Sequence, residues 1–115
     1  MFSIEATVKP FKLDDIREAL VDLGVGGMTV TEVLTQVPSR KLKTRFSDSD
    51  ARSGDLVPHV HIKVVAPDWL VESVIEAFCL HGCSGKFDNS ILTVTRVASV
   101  VRIRTGDRDD EGLST

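Results

Sequence analysis

Two arginines near the C-terminal end, Arg102 and Arg104, stand one residue apart in the run Val100-Val101-Arg102-Ile103-Arg104. On an extended strand, residues two apart point to the same face. Paired guanidiniums suit phosphate, because arginine stays charged and bonds bidentately. The plain alternative is a solvated strand edge. A second group is Cys79, His81 and Cys83, in the stretch Cys-Leu-His-Gly-Cys. Soft ligands at this density suit zinc or copper. Three ligands at one helix end are an incomplete set, however, and helical spacing of four fits a disulfide poorly. Reduced structural thiols are therefore the favoured reading, and no firm metal is expected. His59 and His61 share one strand face, and two ligands do not make a metal site. Asp107, Asp109, Asp110 and Glu111 lie in a Gly-containing polar tail and read as a solvated tail or lid, not a carboxylate centre. The basic run Arg40, Lys41, Lys43 and Arg45 has only Phe46 as an aromatic neighbour. Stacking platforms for nucleic acid are missing, and docking of a protein partner fits the run better.

The elements that must position these groups follow from periodicity. Phe2, Ile4, Ala6 and Val8 alternate with polar residues, as a half-buried strand does. Pro10 ends it. Leu13, Ile16, Leu20 and Leu23 form one stripe of a helix, with Asp14 and Asp15 in its first turn and Gly24 at its C-cap. Gly26 and Gly27 lead into a β-branched strand from Met28 to about Gln36. Then comes a long exposed loop, 37–57, of turn residues and charges. A loop this long in a small domain is functional or disordered. Val60, Ile62 and Val64 mark a third strand. Asp68 reads as the N-cap of a second helix with Leu70, Val74, Ile75 and Phe78 inward. After a Gly/Ser/Asn loop, Ile91, Leu92, Val94 and Val97 form a fourth strand, which Val100, Val101 and Ile103 extend.

The order β-α-β-β-α-β is the ferredoxin-like, split βαβ pattern, an α+β fold with four antiparallel strands and two helices on one face. The other face would be apolar too, on the evidence of Val65 and the pairs Ile91-Leu92 and Val100-Val101. A lone chain would expose that face, which is a reason to expect an oligomer. The 115 residues make one domain, 1–115, with a C-terminal tail from 105 to 115. A net charge of −3 argues against a nucleic-acid partner. No apolar run is long enough to enter a membrane, and Met1 to Pro10 holds no apolar leader, so a cytoplasmic location is expected.

Three blocks of sequence resemble the PII nitrogen-regulatory signalling proteins. KPFKLDDIREAL from Lys9 to Leu20 is similar to their first helix region, GGMTVTEV from Gly26 to Val33 to their second strand, and VVRIRTGD from Val100 to Asp107 to their C-terminal strand and loop. The resemblance implies a homotrimer that binds an adenine nucleotide in clefts between subunits. It also implies signalling through the long loop, which docks onto a transporter or an enzyme. By position, Gly27, Met28 and Thr29 would line the adenine pocket together with the backbone of Lys63, Val64 and Val65. Gln36 and Val37 would join it where the loop begins. Arg102 and Arg104 would reach the phosphates, over which Phe87, Asp88, Asn89 and Ser90 close.

The chain also departs from the family pattern. The glycine-aspartate-glycine-lysine run of the family's nucleotide loop is here Asp88-Asn89-Ser90-Ile91. Without the glycines, close backbone approach to a triphosphate is harder, and one cation is lost. Ser39 falls at the position of the glutamine that helps bind magnesium and 2-oxoglutarate with ATP, although Gln36 or Arg40 could shift into it. His59 stands where the family has a lysine. The chain has no tyrosine, the family's uridylylation target on the loop.

These departures imply a PII-like regulator that favours ADP or AMP over ATP. Its effector would be a small anion, bicarbonate, held by Ser39, Arg40 and His59 and linking the protein to carbon metabolism. The alternatives are a nitrogen-regulatory sensor of ATP and 2-oxoglutarate, a metal-binding ferredoxin-like trimer, or a slow nucleotide hydrolase. Asp88 is the only candidate base for hydrolysis and there is no Walker-type loop, so no enzymatic activity is expected.

Overall fold

The computed structural model describes residues 1–36, 56–85 and 90–114. Strand β1 is Phe2–Val8, with Ile4, Ala6 and Val8 buried. A 3-10 turn at Pro10–Lys12 leads into helix α1, Leu13–Asp22. Proline suits that first position, where its missing N–H is no loss. Ile16 and Leu20 are the buried stripe of α1. The helix ends at Gly24, whose φ is +88°. Gly24 N–H donates to Val21 O, and Val25 N–H donates to Leu20 O. This pair of bonds is a Schellman cap, which favours glycine at that position.

Strand β2 is Thr29–Gln36 and β3 is Leu56–Ala66. A 3-10 turn at Asp68–Leu70 opens helix α2, Val71–Gly82, and β4 is Leu92–Arg96. A short helix α3, Asp109–Leu113, lies near the end. The sheet order is β2-β3-β1-β4, with antiparallel neighbours throughout. Each helix thus crosses over an intervening strand, as in the expected ferredoxin-like fold. Ile4, Ile62 and Val64 from the sheet form one core with Ile16 and Leu20 of α1 and with Val74 and Phe78 of α2. Fully burying each such side chain stabilises by roughly 1.5–3 kcal/mol. No helix among the described residues is long and apolar enough to cross a membrane.

The ladder of β2 and β3 outruns β1. Val60 is the last β3 residue paired with β1, while Leu56 to His59 pair only with Gln36 to Val33. A two-stranded ribbon therefore projects from the sheet and carries 37–55, the greater part of the expected loop, which lies outside the described residues. Leu56 and Val57 belong to β3, not to the loop.

Several expectations are corrected. β4 stops at Arg96 because its partner runs out: Arg96 faces Phe2, and Val97 N–H donates to Met1 O. Val101 keeps only an isolated bridge to Arg108, so 100–103 do not extend the strand. Asp68 does not cap α2; its carboxylate pairs with the N-terminal ammonium of Met1. The N-terminus is distant in sequence, which is why the local pattern misleads. The helix-free face is not apolar. Residues directly opposite on neighbouring strands share a face. The register pairs Leu92 with Ala6 and Val94 with Ile4, on the helix side. It leaves Glu5, Thr7, Thr29, Thr31, His61, Lys63, Thr93 and Thr95 on the other side, with Val33 and Val65.

Candidate functional site

Gly27, Met28 and Thr29 lie where the chain enters β2, beside the end of β3. Thr29 is directly opposite Lys63, and both are exposed. Val64 is 1% exposed, side chain and backbone together, with its side chain in the core. Val65 is half-buried, and Met28 packs partly against the core. Gly27 is informative because the fold of the chain does not require it. Its φ is not positive, and among the described residues a Cβ placed on it would meet nothing within 4 Å. What a glycine offers there is close approach of something from outside the chain.

A cavity of about 320 Å³ lies next to this edge, between Gly24, Gly26 and Val65 on one side and Asp110 and Leu113 of α3 on the other, with Trp69 at its rim. The C-terminal segment is therefore built into the fold. Arg102 N–H donates to Asp107 O at 2.8 Å, and Gly106 N–H donates to Arg102 O at 2.7 Å. Asp109 N–H donates to Val100 O at 2.8 Å, while Val100 N–H donates to Asp109 Oδ1 at 3.2 Å. The side chain of Arg102 is held as well, its Nε–H donating to Gly112 O at 2.8 Å. Arg104 is exposed, in the turn that follows. The two arginines do not share a strand face as expected, because the backbone turns between them.

Ser39 and Arg40 lie outside the described residues, as do Val37, Phe87, Asp88 and Asn89. Gln36 is exposed at the end of β2, opposite Leu56. Ser90 is exposed, beside a cavity lined by Phe78, Cys79 and Leu92. His59 is buried at 7% exposure, opposite Val33. Its Nδ1 lies 3.1 Å from Val57 O. A carbonyl only accepts, so Nδ1 carries the proton and Nε2 is the nitrogen left for another partner. His59 and Lys63 are four residues apart on β3, about 13 Å along a strand. A single chain does not bring them together.

At the middle of the helix-free face, His61 Nε2 lies 3.0 Å from Glu5 Oε1, and His61 Nδ1 lies 3.2 Å from Thr7 Oγ1. The carboxylate accepts from Nε2–H, so in the neutral ring the Thr7 hydroxyl donates to Nδ1. This polar chain ties β1 to β3. Cys79 and Cys83 are exposed free thiols, and no cluster of three or more metal-ligating residues occurs among the described residues.

The sequence reading missed α3 and the hydrogen bond that Gly112 O accepts from Arg102. The signal was Asp109, Asp110 and Glu111, which are the first turn of α3. Carboxylates there complement the helix dipole.

Comparisons with known proteins cover nearly the whole chain. The family model described as "Nitrogen regulatory protein P-II" matches residues 1–107. The chain is 40% identical over 113 residues to Nitrogen regulatory protein P-II 1 of Escherichia coli, spanning 98% of this chain and 100% of that one. A Haemophilus influenzae Nitrogen regulatory protein P-II is also 40% identical, and one from Klebsiella oxytoca is 39% identical, each over the same shares. With its split βαβ sheet and these matches, the chain belongs to the P-II family of regulatory signalling proteins.

Proposed function

We propose that this chain works as a homotrimer that binds an adenine nucleotide in clefts between subunits and passes the bound state to a protein partner through the segment 37–55. One observation carries the reading furthest. Among the described residues, Gly27 has open space beside it, next to the exposed Thr29 and Lys63 and the half-buried Val65. A flat, close-fitting base suits such a space. Nucleotide and effector would bind two loop arrangements with different affinities and so shift their populations.

ADP or AMP is the favoured nucleotide, because Asp88-Asn89-Ser90-Ile91 lacks the glycines and lysine that suit a triphosphate. Bicarbonate is the favoured effector. His59 commits Nδ1 to Val57 O and presents a single nitrogen where the family has a lysine ammonium. That substitution weakens the pull on a dicarboxylate, while a planar anion can still be served by Ser39 and Arg40. A second reading, a nitrogen-regulatory sensor of ATP and 2-oxoglutarate, is favoured by the names of the relatives.

Titration calorimetry with ATP, ADP and AMP, each alone and with bicarbonate or 2-oxoglutarate, separates the two. Tighter ADP or AMP binding that responds to bicarbonate supports the carbon-linked reading. ATP binding strengthened by 2-oxoglutarate overturns it in favour of the nitrogen sensor.

A further inference from the structure

The C-terminal segment raises a question that the nucleotide reading leaves open: what aims Arg102. An arginine side chain has four rotatable bonds, and ordering a long side chain costs up to about 2 kcal/mol in rotamer freedom. A guanidinium fixed before the ligand arrives avoids that cost on binding. We propose that α3 is a positioning clamp for Arg102, with Gly112 as its critical residue. The inference rests on the nucleotide reading.

Three observations converge. First, Gly112 O accepts from Arg102 Nε–H at 2.8 Å, and the side chain of Arg102 is half-buried there. Using Nε in this way leaves the four N–H bonds of the two terminal nitrogens for an anion. Second, Gly112 is buried, and a Cβ on it would lie 2.7 Å from Asp107 O and 3.5 Å from Arg102 N. Only glycine lets α3 sit this close to the loop that holds Arg102. Asp107 O is also the acceptor for Arg102 N–H, so one close contact fixes both the backbone and the side chain of the arginine. Third, α3 is anchored where it begins. Asp109, at φ +55°, bonds Val100 through its backbone N–H and its carboxylate, while Asp110 and Leu113 border the cavity shared with Gly26 and Val65.

Gly112 touches no ligand; it acts through Arg102 and so on phosphate alone. The test compares ADP, titrated by calorimetry, with adenosine, followed by NMR shifts, on the full chain. Gly112→Ala should weaken ADP about tenfold, the size expected for a bond to a charged group. Adenosine binding should not change. Adding Arg102→Ala to Gly112→Ala should cost no more than Arg102→Ala alone, since the two share one interaction. The Arg102 Nε–H signal should be protected from solvent exchange in the wild type and lose that protection in Gly112→Ala. If Gly112→Ala does not fold, Asp109→Ala loosens the same anchor and should weaken ADP about threefold, again sparing adenosine. Equal losses for ADP and adenosine, additive losses with Arg102→Ala, or unchanged ADP binding in a folded variant would each overturn the clamp. A wild-type chain that takes up no ADP is a different result, because it overturns the nucleotide reading on which the clamp rests.

Discussion

On the helix side of the sheet, Ile4, Ile62 and Val64 are shut off from solvent; on the other side, the same strands carry Glu5, His61 and Lys63. The two faces answer different demands. The helix side holds the apolar area that makes the chain fold. The other side is a lattice of threonines and charges, with Glu5, His61 and Thr7 bonded across β1 and β3. Its Ser3 Oγ is buried and has no hydrogen-bond partner among the described residues. A face this polar contributes little to the stability of one chain, and it leaves oriented donors and acceptors that a second copy of the chain could meet.

Substitutions on each face test this contrast. Ile62→Ala removes a side chain that is 0% exposed. It should cost about 2–5 kcal/mol, read as a lower midpoint of denaturant unfolding with an unchanged slope. His61→Ala removes the hub of the polar chain but leaves Glu5 half-exposed to water. Its cost should be about 1 kcal/mol, and a cycle with Glu5→Ala should show the two losses to be coupled. If His61→Ala cost as much as Ile62→Ala, the helix-free face would be part of the core and the contrast would fail. Thr93→Val, on the exposed part of that face, should stay within about 0.5 kcal/mol.

The smallest effect lies at the edge of the sheet. A hydrogen bond from the N-terminal ammonium of Met1 holds the Asp68 carboxyl below its ordinary range, and the charges of that ammonium and of Arg96 add to this. A depressed carboxylate pKa means stability that is present above the ordinary carboxylate range and lost as pH falls through the depressed value. Asp68→Asn should therefore melt slightly below the wild type at neutral pH, and the gap should close in acid. Melting curves across pH check this.

Local sequence showed whatever local physics decides. The alternation in Phe2–Val8, the stripe of Ile16 and Leu20, and the cap glycine Gly24 all stand as read. What it did not show depends on partners distant in the chain. Val94 reads as apolar from sequence, but only its register with Ile4 decides which face it joins. β4 ends at Arg96 because β1 begins at Phe2. Asp68 lost its capping role to Met1, 67 residues away. At the candidate site, the ladder sets Thr29 opposite Lys63, while Gly27 lies just before the strand. The arrangement of Arg102 was not legible. It depends on a glycine ten residues later and on a five-residue helix hidden in an acidic tail.

The central claim is that this chain is an adenine-nucleotide sensor whose phosphate contacts come from the C-terminal segment. A calorimetric titration of ADP into the wild type and into the doubly substituted Arg102→Ala, Arg104→Ala chain tests it most directly. The wild type should bind one ADP per chain and the double variant should lose that binding, with the melting temperature of the fold retained. Equal ADP binding by both proteins, or none by the wild type, would contradict it.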